Sequence, residues 1–371
     1  MRRILQKLKD STINFNLEEV LSCKKIFTFM QYMFCAGATE CRRKTQKKVA
    51  YASQHTDDAK YDHPLDFESG HRFQQFLSAH KFIHPDVFSL DTQYRIYAPF
   101  HFIPGNQGNR FQERMVCRQN SEIAQQMVRE AAKLKAKPYQ LHRLGIALHV
   151  YADTWSHQDF SGLQTELNDV EEIDVINEDK VGIVRIFTGF FRDIVESLIP
   201  QIGHAEVATL PDEPYRDWTF YHVYQKRSIH RKNWLICQDA SRAIYKEIKS
   251  FLVKNPEYRD EKPILWGNTK SVITNLFRQK GNLEERCGNW AEKINLSGFD
   301  FPCQPVEKDL SYDDMEWFRA SVEVKTVDEK EKYYRKGDFH LSDWKHFHDA
   351  AASHRFYVLQ ESLSPQGIIC G

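Results

Sequence analysis

The sequence predicts an all-α, multi-helix protein with long functional loops, and three observations carry that expectation. Apolar residues recur at spacings of three and four, as in Val20, Leu21, Ile26, Phe29, Met30, Met33 and Phe34, which gathers them on one helical face. Stop signals close several such runs, Gly37 after the first and Pro138 after a second. The 371 residues are 41% hydrophobic and 13% aromatic, with 16 Gly and 13 Pro, the make-up of a folded chain with a sizeable core.

Taken in order, 18–37 reads as the first helix, followed by the basic turn CRRKTQKK and a short helix over 45–54. Residues 118–136 form a polar helix and 139–157 an apolar one. Two more are expected at 181–199 and 228–254, and 343–361 closes the chain. Between them, 61–110 and 200–222 are long loops rich in His, Pro and aromatics, a length and composition that mark functional loops. One domain over 1–371 accounts for the pattern, with the more charged, less periodic 256–338 as an insertion or C-terminal lobe.

Charge and cysteine content narrow the class. Lys plus Arg and Asp plus Glu are both 51, a net charge of zero, whereas broad nucleic-acid binding needs clustered basic residues. The eight cysteines include no C-x-x-C pair and fit free, mostly buried thiols. The basic start lacks the apolar run of a secretory signal, which predicts a cytoplasmic protein or one exported without a leader. Residues 181–200 carry Arg185, Arg192, Asp193 and Glu196 within a span length, costly in hydrocarbon. That segment reads as a core helix or an interfacial one in peripheral membrane contact, not a transmembrane segment.

Chemistry concentrates in GIALHVYADTWSHQDFSG, where His149, Asp153 and His157 recur every four residues. On a helix of 3.6 residues per turn they line one face with about 40° of drift per step. Composition alone would give about 0.1 such patterns in a chain of this make-up. The bland alternative is a buried helix with hydrogen-bonded polar groups. Asp57 and Asp58 stand together at a helix end, His101 sits beside a Pro-Gly turn in FHFIPG, and His204 and Asp212 lie in GHAEVATLPDEP. Each has an ordinary reading as a cap, core or turn residue. Together, Asp57, Asp58, His101, His149, Asp153, His157, His204 and Asp212 are enough ligands for two zinc ions, the arrangement that hydrolyses phosphodiesters. His354 reads as a core or supporting histidine, and His340, His346 and His348 as surface residues.

The run of YASQ-x-x-DDA, PFHFIPG, LH-x₃-D-x₃-H-x-x-FSG, GHA-x₅-PD-x-P and AA-x-x-HRFYV resembles an uncharacterised bacterial family, a domain of unknown function, from about residue 22 to the end. That family is similar, more distantly, to the zinc-dependent phospholipase C and P1 nuclease superfamily. The resemblance implies an all-α fold with a multinuclear zinc site. It places ligands at Asp57 or Asp58, His101, His149, Asp153 and His157, with His204 from the nearer family. Two zinc ions, or three, are implied. The third is in question because no histidine precedes His55, and Lys25 and Thr28 stand where a first-helix ligand belongs.

The leading expectation is therefore a zinc-dependent phosphodiesterase of phospholipase C type. Asp57 or Asp58 would be catalytic, and Phe100, Phe102, Trp155 and Phe160 would form an aromatic rim around a phospholipid or other phosphodiester. The alternatives are a P1-like nuclease or nucleotidase, and a non-catalytic helical protein with a structural or degenerate metal site. An HD-type metal phosphohydrolase is a weaker reading of the His-rich helices.

Overall fold

A computed structural model describes residues 40–61, 63–79, 89–133, 137–178, 207, 210–258, 265–296, 299 and 312–370. The helices expected at 18–37 and 181–199, and His204, lie outside the described residues.

In chain order the helices are α1 (Glu40–Asp58), α2 (90–100), α3 (Phe111–Arg114), α4 (Glu122–Lys133) and α5 (Gln140–Ser156). They continue with α6 (Asn233–Lys254), α7 (Trp266–Arg278), α8 (Leu283–Asn295), α9 (Glu316–Ser321) and α10 (Asp343–Phe356). The strands are β1 (Leu65–Asp66), β2 (Arg72–Phe73), β3 (Val170–Val175), β4 (Asp217–His222), β5 (Arg227–Lys232), β6 (Val322–Val327) and β7 (Lys330–Arg335).

The expected all-α class is corrected by these strands. Among the described residues the structure is 56% helical with 15% in strands, in three small antiparallel sheets, and so is mixed α/β. The sheets are β1–β2, β3–β4–β5 and β6–β7. The helix expected from 228 begins only at Asn233, because Arg227–Lys232 pairs residue for residue with β4, from Asp217 opposite Lys232 to His222 opposite Arg227. In the β6–β7 hairpin the turn residues Asp328 and Glu329 have φ of 51° and 59°, the left-handed pair that two-residue hairpin loops require.

Helices α1 and α5 form the centre. Residues 49–57 of α1 are all buried, as is every residue of α5 from His142 to Trp155, and a helix covered on all sides belongs to the core. Around them, α4 turns Ile123, Met127 and Val128 inward, and α6 contributes Ile244, Ile248 and Phe251. Helix α10 continues past Phe356 as a π-helix over Tyr357–Leu363. Ile273, Phe277, Trp290 and Ile294 of α7 and α8 join this same core, as do Trp317 and Val322, so much of 256–338 folds onto the main body. A second, smaller core unites Phe102, Phe160, Val170, Leu210, Trp218 and Phe220 under the three-stranded sheet.

The α1–α5 crossing is close because Gly145 has no side chain. A Cβ there would stand 2.4 Å from the Val49 carbonyl oxygen and 2.8 Å from the Ala52 Cβ. Gly145→Ala gains about 1 kcal/mol of helix propensity but collides with backbone, and overpacking of this kind costs about 1–3 kcal/mol. The variant is expected to unfold at lower denaturant concentration than the wild type. An unchanged or raised midpoint in urea would show that the crossing has slack.

Candidate metal centre

The close crossing puts the end of α1 beside the last turns of α5. Asp57 turns into the contact, whereas Asp58, a third of a turn round, faces the other way and meets Lys60 at 3.4 Å and the Gln54 side chain at 3.4 Å. His149 and Asp153, one turn apart on α5, meet Asp57 from the other side, and His101 enters from the end of α2.

Ligand-type atoms of Asp57, His101 and His149 converge, and Asp153 adjoins the two histidines. His149 Nε2 lies 3.5 Å from Asp57 Oδ1 and 3.3 Å from Asp153 Oδ2, and His101 Nδ1 lies 3.7 and 3.4 Å from the same two oxygens. The two nitrogens are 3.5 Å apart. Charge-assisted hydrogen bonds between such groups run to about 2.7–2.9 Å, so most of these contacts are too long to be good hydrogen bonds. Ligands 2.0–2.2 Å from one tetrahedral ion stand about 3.3–3.6 Å apart, close to the spacing among Asp57, His101 and His149, whose ligand atoms all lie within 4.8 Å of one another, with Asp153 bordering that set through the two histidines. His149 and Asp153 are sealed from solvent, while His101 retains 9% exposure.

The imidazole of His101 is held in the orientation a ligand needs. Its Nε2–H donates to the Ser78 carbonyl at 2.9 Å, leaving Nδ1 to present a lone pair to the cluster when the ring is neutral. Ser78 is itself fixed to the end of α1, its hydroxyl donating to the Thr56 carbonyl at 2.8 Å and its N–H to Ala59 at 3.2 Å. An outer hydrogen bond to a backbone carbonyl is the usual support of a metal-binding histidine. Asp57 Oδ2 and His149 Nδ1 have no hydrogen-bond partner among the described residues.

The electrostatics carry the same imprint. Burial alone would depress His149, but the Asp153 and Asp57 carboxylates overcome it and push it up to about 9. Burial raises Asp57 to about 6, even with His149 and His101 opposing it. Asp153 is held well below the usual carboxylate range, the His149 and His157 charges outweighing the cost of its burial.

His157 falls just past the end of α5, its N–H closing the helix onto the Asp153 carbonyl at 2.8 Å. It therefore does not join His149 and Asp153 as a third ligand on one face. Its Nδ1–H donates to the His101 carbonyl at 2.8 Å, and its ring stacks on Phe102 with centroids 4.3 Å apart. Burial holds it below the ordinary histidine value, and its Nε2 faces Asp212 Oδ1 at 3.8 Å. His157 and Asp212 thus form a second donor pair adjoining the first cluster.

The expected aromatic rim is corrected to interior packing. Phe100, Trp155 and Phe160 are at most 1% exposed. Phe100 stacks against His354, the Trp155 indole N–H donates to Asp239 at 2.9 Å, and Phe160 belongs to the smaller core. Phe102, at 7%, is the stacking partner of His157. Of the histidines read as surface residues, His340 is exposed but His346 and His348 are buried. His354 is buried and its Nε2–H donates to the Pro99 carbonyl at 2.8 Å, bracing the last turn of α2. Cys117 and Cys370 are buried free thiols, whereas Cys237 and Cys287 are only half-buried.

A second group, His142, Asp343 and His346, also brings ligand-type atoms together. There the Asp343 Oδ1 already meets His142 Nε2 at 3.0 Å and Lys48 Nζ at 2.8 Å. These are ordinary hydrogen-bond and ion-pair lengths, so the Asp343 carboxylate is satisfied without an ion. The adjacent pair His348–Asp349 on α10 is equally remote from HD-type metal binding. His348 Nδ1 accepts the Phe76 N–H at 2.9 Å, and Asp349 pairs with Lys345. Sequence reasoning missed Ser78, whose contribution is a main-chain carbonyl and leaves no trace in residue type.

The fold and site define a predominantly helical α/β protein with a buried cluster of two histidines and two aspartates. The chain belongs to a family of unknown function, DUF6765, which matches residues 25–362. No curated protein matches the chain, and no solved structure does. Among the described residues no helix is long and apolar enough to cross a membrane.

Without metal, the site makes stability fall with rising pH. His149 and Asp57 both have folded pKa values above their unfolded ones, so the stabilisation they give is present in the protonated protein. It is lost as pH climbs through about 6 and then about 9. Asp153 acts in the opposite sense, only at more acidic pH. Buried histidines such as His348 and His354, pushed down by burial, act in the opposite sense, so this contribution is read against His149→Gln: the stability advantage of chelator-treated wild type over that variant in urea is expected to be larger at pH 6 than at pH 9. An equal difference at the two pH values would contradict this charge arrangement.

Proposed function

We propose that this protein is a divalent-metal hydrolase of phosphodiesters. Asp57, His101, His149 and Asp153 would hold one ion, and His157 with Asp212 would contribute to a second. The observation that favours hydrolysis over a purely structural ion is that second donor pair. A structural site is complete with four protein ligands, yet His157 and Asp212 place two further donor groups beside that set. The two imidazoles and two carboxylates suit Zn2+ in softness and number. Bound ions would supply Lewis-acid stabilisation of phosphoryl oxygens and an activated water.

The chain's own residues divide the remaining work. His149 and Asp153, sealed beneath, fix the position of the ion. His101, His157 and Asp212 keep 9–11% of their side-chain surface exposed, against 0–1% for His149 and Asp153, so a substrate phosphate would approach from their side. Asp57, at the end of α1, is the ligand that would orient the attacking water. Asp58 has no part in the centre. Phospholipids are the first substrates to test, on the strength of the motif resemblance to zinc-dependent phospholipase C, with single-stranded nucleic acid second. The interior position of Phe100, Trp155 and Phe160 supplies no aromatic recognition of either.

A structural ion is the second reading, and one observation favours it: four protein ligands can close a coordination sphere by themselves. Elemental analysis with a phosphodiesterase assay separates the two. Wild type is expected to carry two zinc ions per chain and to hydrolyse a generic phosphodiester. Asp57→Asn and His149→Ala should lose metal and at least 100-fold of kcat/KM, while Asp58→Asn keeps both. Metal bound without turnover of any phosphodiester, and lost together with the fold in Asp153→Ala, would establish the structural reading instead.

Zinc must displace the proton that His149 carries at neutral pH. Calorimetric titration in two buffers of different ionisation enthalpy is therefore expected to show about one proton released per first zinc at pH 7.5. Zero release would mean that His149 is neutral before metal arrives.

A further inference from the structure

Arg231 is a buried cation that the chemistry above does not use. It lies on β5 with its side chain turned under the three-stranded sheet, 4% exposed, and its guanidinium sits 5.5–5.8 Å from the ring centres of Phe160, Trp218 and Phe220. Its donors go to main chain: Nη1–H to the Ser156 carbonyl at 2.9 Å and Nη2–H to the Gln158 carbonyl. Those two carbonyls flank His157. The nearby Asp159 carboxylate is 3.6 Å away and already receives Arg118 at 2.7 Å.

This arrangement answers a local problem. The last carbonyls of a helix have no partner within it, and the negative end of the helix dipole favours a cation beside them. The chain also reverses sharply here, with Asp159 at φ 75°. A guanidinium offers two donors in a fixed fork, where an ammonium offers one compact charge. The fork spans His157 and so sets the backbone from which its imidazole reaches the His101 carbonyl on one side and Asp212 on the other.

We propose that Arg231 is a positioning residue for the metal centre: by gripping the carbonyls on both sides of His157 it aims that ring, and through the His157–His101 hydrogen bond it steadies a ligand of the first ion. The proposal rests on the reading of the Asp57 cluster as a metal centre. It assigns the small sheet a purpose, since β4 supplies two of the aromatic faces that enclose Arg231 and β5 supplies the residue itself.

The test compares wild type with Arg231→Lys and Arg231→Ala in the full chain. Zinc affinity is read by competition with a chelating indicator, ligand geometry by the visible spectrum of bound Co2+, and the fold by thermal melting of the metal-free protein. Arg231→Lys is expected to melt near wild type, bind zinc about 10- to 100-fold more weakly and change the Co2+ spectrum. Arg231→Ala should bind more weakly still and regain affinity in millimolar guanidinium, which refills the fork. Wild-type affinity and an unchanged Co2+ spectrum in Arg231→Lys would overturn the proposal while leaving the metal reading intact. So would affinity lost only in step with metal-free stability and not restored by guanidinium. If Arg231→Ala does not fold, the lysine variant decides alone. A wild type that binds neither Zn2+ nor Co2+ would overturn the metal reading and this proposal together.

Discussion

Two carboxylates and three imidazoles are buried around one helix crossing, and the surrounding structure is organised by the need to compensate them. Taking an ion out of water costs several kcal/mol unless it is well paired, and Asp57 and Asp153 are both almost fully buried. Some compensation comes from His149, which holds a proton far above its ordinary range. That solution is incomplete, because the contacts are mostly too long for good hydrogen bonds and His149 Nδ1 is left unpartnered among the described residues. A divalent cation would replace the proton and draw on all four groups together.

The supports of this cluster come from distant parts of the chain and are mostly main chain. The Ser78 carbonyl orients His101, the His101 carbonyl orients His157, and the Pro99 carbonyl anchors His354 beneath α2. Arg231 does the converse, a side chain gripping main chain on either side of His157. A ligand set carried by helix ends and loops is thereby over-determined. The small sheet, peripheral to the helical core, is joined to the site through Phe102 and Phe160.

The parts of the site that were legible in the sequence are those fixed by helix periodicity. His149 and Asp153 face one volume because four residues make slightly more than one turn. The same arithmetic failed for His157, since α5 ends at Ser156 and the next residue obeys the turn, not the helix. Asp57 and Asp58 could not be told apart from sequence, because which of two successive residues faces α5 depends on how α1 is rotated in its packing. The aromatics of FHFIPG and the Trp155 region read as a rim because loops beside a site are often open. Here they fill the space between the helical core and the small sheet.

By itself the sequence determined the central helices, the pairing of His149 with Asp153, and the residue types from which a metal centre could be made. Tertiary structure decided the rest. It made strands of residues such as Arg227–Lys232, whose side chains carry no strand pattern and whose pairing to β4 is a long-range hydrogen-bonding fact. It brought His101 and Asp57 to α5 across a crossing that a single missing Cβ at Gly145 permits. Local periodicity records which way a side chain leaves its own helix. Only packing fixes what it meets.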